Sequence, residues 1–486
     1  MDFIYLQEKL IDPISKVLYT YVLVYLLVAA GIYFTIRTRF VQFRYFRRMV
    51  GQLFNSRIGD GGISSFQAFC VGLASRVGTG NIAGVAIALT VGGPGAIFWM
   101  WVVALIGMAT ALIEATLAQI FKVRTGDGTF RGGPAYYIQR GLGSRAGGMV
   151  FAVLLVFTFG FAFNMVQANA IADVLNTTHQ IEQHYTTIAL VLLAAPVLFG
   201  GVRRVAKVAE VVLPLMAAAY VLLAFVIIAL NFTRIPEVFT QIIGGAFGIQ
   251  EMAGGFAGGI AAAMLNGVKR GLFSNEAGMG SAPNVAATAT VSHPVKQGLI
   301  QSLGVFVDTM IVCTATAFII LVSGPAVYDP GAPTKMAGAS LTQAAVSASL
   351  GSWTTWLMTF LVFVFAFSSV LGNYVYAEIN LFFLGAKHRA INVFRVLVLI
   401  AIGIGALARL DAVWGLADIS MGLMAMVNLV AIVLLGRWAF AALRDYNNQV
   451  SAGRDPVFVA DEADLPGHLD GDIWIRPKTA ESARTA

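Results

Sequence analysis

A glycine-rich run interrupts the apolar stretch between residues 62 and 89, where a membrane helix would otherwise be continuous. The run reads Arg76-Val77-Gly78-Thr79-Gly80-Asn81. Each unpaired backbone N–H or C=O group in hydrocarbon costs several kcal/mol, so irregular backbone at membrane depth persists only where protein or a hydrated cavity satisfies it. The chemistry that this run offers is therefore recognition of a solute or an ion by freed backbone groups.

Two half-helices that meet at such a break expose N–H groups with partial positive charge and C=O groups with partial negative charge. One break can thus bind an anionic carboxylate and a cation together, which suits a zwitterion plus Na⁺. At Gly78 and Gly80 the missing side chain lets a ligand approach the main chain closely. The alternative is that these glycines serve tight helix packing.

Charged side chains inside the apolar segments are costly and functional by default. Arg76 lies within the break, where its guanidinium could bind a carboxylate in bidentate fashion or take the place of a second cation. It could equally pair with Asp308, Glu114 or Glu378 as an internal strut. Asp308 is interpreted either as a proton or cation site or only as the partner of Arg76.

The composition is that of an integral membrane protein, because 58% of the 486 residues are hydrophobic and 12% are charged, against about 25% charged in soluble domains. The net charge of +7 lies in short loops between apolar segments, which predicts topogenic charge and no nucleic-acid binding. Cys70 and Cys313 are too far apart in sequence to support a disulfide framework or a thiolate metal site. The five histidines lack metal-ligand spacing, so we do not expect an enzyme.

The apolar segments predict an all-α protein with about eleven transmembrane helices at roughly 20 residues each. The basic loops alternate along the chain, beginning with residues 37–57, and by the positive-inside rule this predicts an outside N-terminus and a cytoplasmic C-terminus. The predicted spans cover residues 16–36, 62–89, 94–122, 147–175, 185–202, 206–230, 238–274, 297–323, 353–384, 391–408 and 413–436.

A second glycine-rich break is predicted within residues 231–274, a region too long for one helix. We expect a half-helix from Val238 to Ala253, a break at Gly254 to Gly259 and a second half-helix from Ile260 to Ser274. One extra N-terminal helix (residues 1–61) then precedes two repeats of five crossings each, residues 62–230 and 231–436, and an odd number per repeat gives them inverted topology.

Residues 437–486 are predicted to form a short, mobile cytoplasmic tail, because from about Asp445 the sequence turns rich in Asp, Glu, Pro, Gly and Ser. The alternative is an ordered docking segment around Val457 to Val459 or Ile473 to Ile475.

Several long motifs closely resemble those of the alanine or glycine:cation symporter family. The resemblance runs from about residue 62 to residue 384, and it also includes His293-Pro294-Val295-Lys296-Gln297-Gly298 and Asn373-Tyr374 before Glu378. The longest motifs are residues 72–85 (GLASRVGTGNIAGV), 92–101 (GGPGAIFWMW), 132–138 (GGPAYYI) and 270–283 (RGLFSNEAGMGSAP).

The resemblance implies the leucine-transporter-like fold of five plus five inverted helices, with two discontinuous helices and one extra N-terminal span. It also implies Na⁺-driven uptake of small neutral amino acids (alanine, glycine and, less firmly, serine) across a prokaryotic plasma membrane. The expected partners are the amino acid, Na⁺ as the coupling ion and membrane lipid, with no organic cofactor and no nucleic acid.

The same resemblance implies site residues. The carbonyls of Ala74 and Val77 with the hydroxyls of Ser368 and Ser369 would hold Na⁺, and the competing interpretation of the two serines is hydrogen bonding to their own helix. The substrate would meet the unwound backbone at the first break, an apolar wall and several polar side chains. The residues in this predicted substrate set are Arg76, Thr79, Gly80, Asn81, Asn164, Gln167, Phe256, Ile260 and Asn373.

Two of these assignments carry alternatives. Asn164 and Gln167 lie three residues apart in an apolar run and hence on one face of a helix, where interhelical hydrogen bonding is the competing role. Asn373 departs from the family pattern, since a large aromatic residue is common near it, and asparagine there could enlarge or polarise the pocket. Strict alanine selectivity is therefore not implied.

Among competing functions, a passive channel would need a continuous polar pore, whereas the polar clusters here are confined near two breaks. Proton coupling through Asp308 or Glu378 is the main alternative to Na⁺ coupling. The sequence thus predicts a secondary active transporter that works by alternating access.

Overall fold

The structure, a computed structural model, is built almost wholly of helices. It describes residues 9, 11–54, 62–126, 128–200, 202–248, 258–330, 336–469, 471 and 473–475, without the side chains of residues 12, 54, 202–210 and 213. The main helices are α1 (Pro13–Arg37), α2 (Ser65–Arg76), α3 (Gly80–Gly92), α4 (Gly95–Ile120), α5 (Pro134–Gly141), α6 (Arg145–His179), α7 (Gln183–Leu198), α8 (Val202–Leu230), α9 (Ile235–Ala246), α10 (Gly258–Asn275), α11 (Pro294–Val322), α12 (Ala339–Leu350), α13 (Thr354–Phe383), α14 (His388–Leu407) and α15 (Leu410–Ser451).

Short elements fill the connections. Two-residue strands β1 (Val123–Arg124) and β2 (Phe130–Arg131) pair antiparallel after α4. Short helices cover Val41–Arg44, Phe46–Phe54, Phe232–Arg234, Ala282–Ala286 and Ala460–Glu462.

Seven helices in the described part of the chain are long and apolar enough to cross a membrane, and nine spans result if each of two bent helix pairs counts as one. Every apolar segment predicted from the sequence contains a helix, although α7 has only 16 residues. Exposed side chains on α8 support contact with lipid, because Leu215, Leu222 and Phe225 are each about two-thirds exposed. The molecule is therefore a multi-pass, all-α membrane protein, whereas the eleven-span inverted repeat stays a prediction.

The first broken span consists of α2 and α3, which meet at 47°. Helix α2 begins with a capping box, in which Ser64 Oγ accepts from the backbone N–H of Gln67 and the Gln67 side chain accepts from the backbone N–H of Ser64. It ends at Arg76, and Val77 leaves helical geometry with φ −78° and ψ 87°. The break lies near the middle of the span, because the 12 residues of α2 precede it and the helix Gly80–Gly92 follows it.

The second interruption differs from its predicted bounds. Helix α9 ends at Ala246, before the predicted Ala253, because Phe247 departs from helical geometry and Gly248 turns to a left-handed φ of 65°. Gly258 and Gly259, predicted within the break, are already helical in α10. Residues 254–257 of the predicted break, including Phe256, lie outside the described residues.

Small residues allow the helices to pack closely around α4. A Cβ atom at Gly95 would lie 2.2 Å from the backbone carbon of Gly245, which shows that α4 and α9 touch through their main chains. A Cβ atom at Gly267 would lie 2.5 Å from the carbonyl oxygen of Ala96, so α10 approaches α4 in the same way. Such contacts between small residues are typical of helix packing in membranes.

The chain after residue 437 contains helix and buried side chains. Helix α15 continues to Ser451, well beyond the predicted end of the last span at residue 436. Beyond it, Phe458 and Trp474 are 2% and 7% exposed. Two large aromatic side chains of this region are thus buried against the rest of the protein, a contact that composition alone does not reveal.

Candidate functional site

The break between α2 and α3 is held open by side chains that replace the missing helical hydrogen bonds. The N–H of Gly78 donates to Asn81 Oδ1 at 2.9 Å, and the N–H of Thr79 donates to Gln167 Oε1 at 3.3 Å. All four residues are buried. The predicted positions Thr79, Asn81 and Gln167 therefore come together at one place, as polar groups that satisfy the freed backbone.

Close backbone approach requires glycine at both predicted positions. A Cβ atom at Gly78 would lie 2.0 Å from Ser369 Oγ, and one at Gly80 would lie 3.0 Å from Phe273 Cδ1. The main chain of the break thus faces α13 on one side and the end of α10 on the other. This close approach is the reason for the glycines, and it brings Ser369 to the break.

The predicted cation ligands are partly assembled. Ser369 Oγ donates to the carbonyl oxygen of Ala74 at 3.0 Å and lies 3.1 Å from that of Phe365 on its own helix. Ser368 Oγ donates to the carbonyl oxygen of Phe365 at 2.9 Å, which is the back-bonding alternative. Val77 is fully buried at the break. A carbonyl and a hydroxyl oxygen from two helices thus meet where a cation was expected.

A chain of polar contacts crosses the site from the turn after α10 to α6. Ser75 Oγ lies 2.6 Å from Glu276 Oε1 and 2.9 Å from Asn373 Oδ1. Asn373 Nδ2 in turn donates to Asn164 Oδ1 at 3.1 Å. The predicted residues Asn164 and Asn373 are therefore in direct contact, while Glu276 and Ser75 were not predicted individually.

Asp308 on α11 is the most fully bonded charge near the break. Its carboxylate accepts from Asn81 Nδ2 at 2.7 Å, from Ser274 Oγ at 2.8 Å and from Thr309 Oγ1 at 2.8 Å. Three donors offset much of the cost of burying a carboxylate. Asp308 therefore joins α3, α10 and α11 at the break.

Arg76 is 2% exposed, yet its guanidinium is sparsely bonded. Its Nη1 donates to the carbonyl oxygen of Gln301 at 3.3 Å, while Nε and Nη2 have no hydrogen-bond partner among the described residues. The carboxylate of Glu378 lies 3.7 Å from Arg395 Nη2. Glu114 accepts from the N–H of Gly278 and from Asn428.

None of the three proposed carboxylates lies within ion-pair distance of Arg76 in the described part of the chain, but Asp308 and Glu114 are close enough to attract its charge. The internal strut therefore stays a prediction beside the role as a carboxylate ligand. The interpretation as a ligand for a carboxylate agrees with its two unbonded nitrogens.

Aromatic rings wall the break on one side. The ring centroid of Phe273 lies 4.4 Å from that of Phe163 and 4.5 Å from that of Trp414. Ile260, predicted in the substrate set, is instead 39% exposed at the start of α10, about 21 Å along the helix from Ser274. The structure does not bring Ile260 to the site.

Sequence reasoning missed Phe273, Ser274 and Glu276 as individual residues, although all three lie in the motif at residues 270–283.

The backbone of the structure also indicates a functional site. Three helices that line the site have π-helical stretches, Gly80–Gly84, Thr158–Ala162 and Phe306–Cys313. Such wide turns often mark functional sites, and one of them carries Asp308.

A multi-pass helical protein with a broken span and a buried polar cluster at its middle has the construction of a secondary transporter. The sequence profile of the sodium:alanine symporter family matches residues 4–460, and the chain belongs to this family. It is therefore a membrane transport protein and not an enzyme.

Relatives along nearly the full length carry related names. The chain is 48% identical over 471 residues to a probable sodium/glutamine symporter, GlnT, of Bacillus subtilis, covering 96% of each chain. It is 40% identical over 489 residues to a putative sodium/proton-dependent alanine carrier protein, YrbD, of the same organism (98% of this chain, 99% of the relative). It is 37% identical over 455 residues to the sodium/alanine symporter AgcS of Methanococcus maripaludis (92% of this chain, 98% of the relative).

Proposed function

We propose that this protein carries small neutral amino acids (alanine, glycine and serine) into the cell together with Na⁺, by alternating access around the break at Val77 and Gly78. The observation that carries the proposal is the buried break itself, where backbone groups freed from the helix lie beside polar side chains at the middle of a span. Half-helix ends of this kind can bind both charges of a zwitterion together with a cation.

The cation is proposed to bind between α2 and α13. Na⁺ is a hard cation that prefers oxygen ligands, and Ser369 Oγ already lies 3.0 Å from the Ala74 carbonyl. A small rotation of the Ser369 hydroxyl, away from that carbonyl, would direct both oxygens to an ion. Val77 and Ser368 are the proposed additional ligands, the first through its carbonyl and the second through its hydroxyl.

The amino acid is proposed to bind at the break beside the cation. Its carboxylate would meet the Arg76 nitrogens that lack hydrogen-bond partners and the N–H groups near Gly80. Its ammonium would find acceptors among the oxygens of Glu276 and Asn373. The Phe273 ring, close to Gly80, limits the length of the substrate's side chain.

The polar groups at the break would also accept a substrate amino acid with a polar side chain. One relative is named as a glutamine symporter and two are named for alanine, so the substrates to be tested range from alanine to glutamine. Asn373 and Asn164, which contact each other, are the proposed determinants of that choice.

Proton coupling is the second candidate, and Asp308 is the observation that favours it. This buried carboxylate contacts the break through Asn81 and accepts from Ser274 and Thr309. A relative carries the name sodium/proton-dependent alanine carrier. Protonation of Asp308 would change these contacts and could thereby be coupled to substrate binding.

The proposed architecture is the one that the family resemblance implies. Two inverted repeats of five crossings, residues 62–230 and 231–436, follow one extra helix in residues 1–61. The N-terminus lies outside and the C-terminus lies in the cytoplasm of a prokaryotic cell, by the distribution of Lys and Arg.

Uptake by the purified protein in proteoliposomes tests the proposal. We expect saturable uptake of labelled alanine or glycine when Na⁺ is imposed outside, and loss of accumulation when choline replaces Na⁺ at fixed pH. Exchange with unlabelled substrate on the other side separates a carrier from a channel. Accumulation that continues in choline and follows an imposed pH gradient would transfer the proposal to proton coupling through Asp308.

A further inference from the structure

The start of the broken span is attached to the segment that precedes α11. Ile63, two residues before α2, accepts from the N–H of Thr290 at 3.0 Å, and its own N–H donates to the carbonyl of Thr288 at 3.2 Å. Gly62 lies so close that a Cβ atom there would be 2.7 Å from the Thr288 carbonyl oxygen. The first half of the broken span can therefore move only if these two backbone hydrogen bonds break or if residues 288–290 move with it.

The chain after α15 binds the same segment through backbone and side-chain contacts. The N–H of Phe458 donates to the carbonyl oxygen of Ser292 at 2.8 Å, and Ser292 Oγ donates to the carbonyl oxygen of Pro456 at 2.9 Å. Lys296 Nζ lies 2.5 Å from Asp455 Oδ1. We name residues 455–475, apart from 470 and 472, the C-terminal latch.

Aromatic burial holds the C-terminal latch against the protein. The Phe458 ring lies 5.4 Å from the Trp474 ring and 5.2 Å from the His293 ring. Trp474 Nε1 donates to the carbonyl oxygen of Gln119 at the end of α4, at 3.0 Å. Lys122 Nζ lies 4.8 Å from the centre of the Trp474 ring.

Lys122 and His293 also tie α4 and α15 to this region. Lys122 Nζ donates to the carbonyl oxygen of Ala289 at 3.0 Å. His293 Nε2 lies 3.2 Å from Asp445 Oδ2, and burial lowers the pKa of His293. Residues 288–296 are thus clamped between the broken span, α4, α15 and the C-terminal latch.

We propose that the C-terminal latch is an autoinhibitory element. While the latch is docked, the start of α2 cannot move, and the site stays closed toward the face of the membrane on which the latch lies. With the latch docked, residues 288–296 are fixed, and Ile63 is fixed with them. Release of the latch frees this end of α2 to move outward and opens the site toward the cytoplasm. This inference rests on the proposed alternating-access function, and the proposed orientation places the latch in the cytoplasm.

A native cysteine reports this movement without any transport measurement. Cys70 lies in α2, six residues before the break position Arg76, and is fully buried. Outward movement of the start of α2 would expose it. The rate at which a membrane-permeant maleimide labels Cys70 in the full-length protein, measured on its peptide by mass spectrometry, therefore reports opening.

The test compares Lys296→Asp, Trp474→Ala and the double variant with the unaltered protein. We expect Cys70 to react about twofold to fivefold faster in Lys296→Asp, because loss of one partly exposed ion pair has an effect of this size. The double variant should react faster still. Adding Asp455→Lys to Lys296→Asp should restore slow labelling. The matched control is Glu237→Gln, since Glu237 is 56% exposed, pairs at 3.6 Å with Arg234 and lies outside the latch.

Trypsin cleavage after the exposed Arg454 shows whether the latch has been released. Unchanged Cys70 labelling in a double variant whose tail is readily cleaved would overturn the proposal, and so would a tail that stays protected in the double variant. Faster labelling without Na⁺-driven uptake would support the latch and reject the proposed function, so the two failures are distinguishable.

Discussion

The buried guanidinium of Arg76 has few hydrogen-bond partners among the described residues. Arg76 offers five N–H donors in a fixed fork, and the structure shows one hydrogen bond, to the Gln301 carbonyl. Leaving buried donors unbonded is costly. A ligand carboxylate that supplies the missing acceptors would explain why an arginine lies at the break.

Replacing Arg76 by lysine should weaken amino-acid binding about tenfold to a hundredfold at saturating Na⁺, because lysine keeps the charge but loses the bidentate hydrogen bonds. The measurement is the amino-acid concentration that gives half-maximal uptake. Arg409→Lys is the matched control, since Arg409 is 61% exposed and pairs with Asp411. An Arg76→Ala variant that folds well and keeps its apparent affinity would rule out direct contact.

At the element scale, two half-helices create the site by ending where they do. Val77 turns away from helical geometry, and Asn81 bonds the N–H of Gly78 so that α3 can begin again. The glycine at residue 78 also lets α13 come close, since Ser369 Oγ occupies the space where a Cβ atom would lie.

Gly78→Ala should therefore abolish most transport while the protein still inserts in the membrane. The added Cβ atom would lie 2.0 Å from Ser369 Oγ, and either the break or α13 must shift. We expect the initial rate of Na⁺-driven uptake to fall more than about tenfold, since small displacements at a binding site have effects of this size or larger. Gly403→Ala is the control, because its nearest neighbour, Thr187, would be 3.5 Å away. Equal uptake by both variants would contradict the role of Gly78.

The first break was predictable from sequence, because glycines weaken a helix and lipid offers no partner to the backbone groups that they free. The position of Ile260 was not, because its inclusion assumed that the second half-helix lies against the site near its start, whereas α10 reaches the site at Phe273 and Ser274. Docking of the chain around Phe458 was not decided by composition either, because the contacts come from residues more than 150 positions away.

At the scale of the whole molecule, distant parts of the chain meet at two places. At the middle of the broken span, α2, α6, α10, α11 and α13 bring polar groups to one break. Where α4 ends and α11 begins, the C-terminal latch binds the segment that also holds the start of α2. The broken span connects the two places, so binding at the first and release of the latch at the second can be coupled.

The proposed function requires that the break binds Na⁺ and the amino acid together. Its most direct test is equilibrium binding of labelled alanine to the purified protein as Na⁺ is varied, for the unaltered protein, Ser369→Ala and Ser420→Ala. Ser420 is a suitable control because it is buried and donates to the carbonyl oxygen of Ala417 on its own helix, at 3.1 Å.

We predict that alanine binding requires Na⁺, that Ser369→Ala raises the half-saturating Na⁺ concentration about tenfold through loss of one charge-bound oxygen, and that Ser420→Ala leaves it unchanged. Alanine binding of equal strength in choline, or a Ser369→Ala variant with unaltered Na⁺ dependence, would contradict the account.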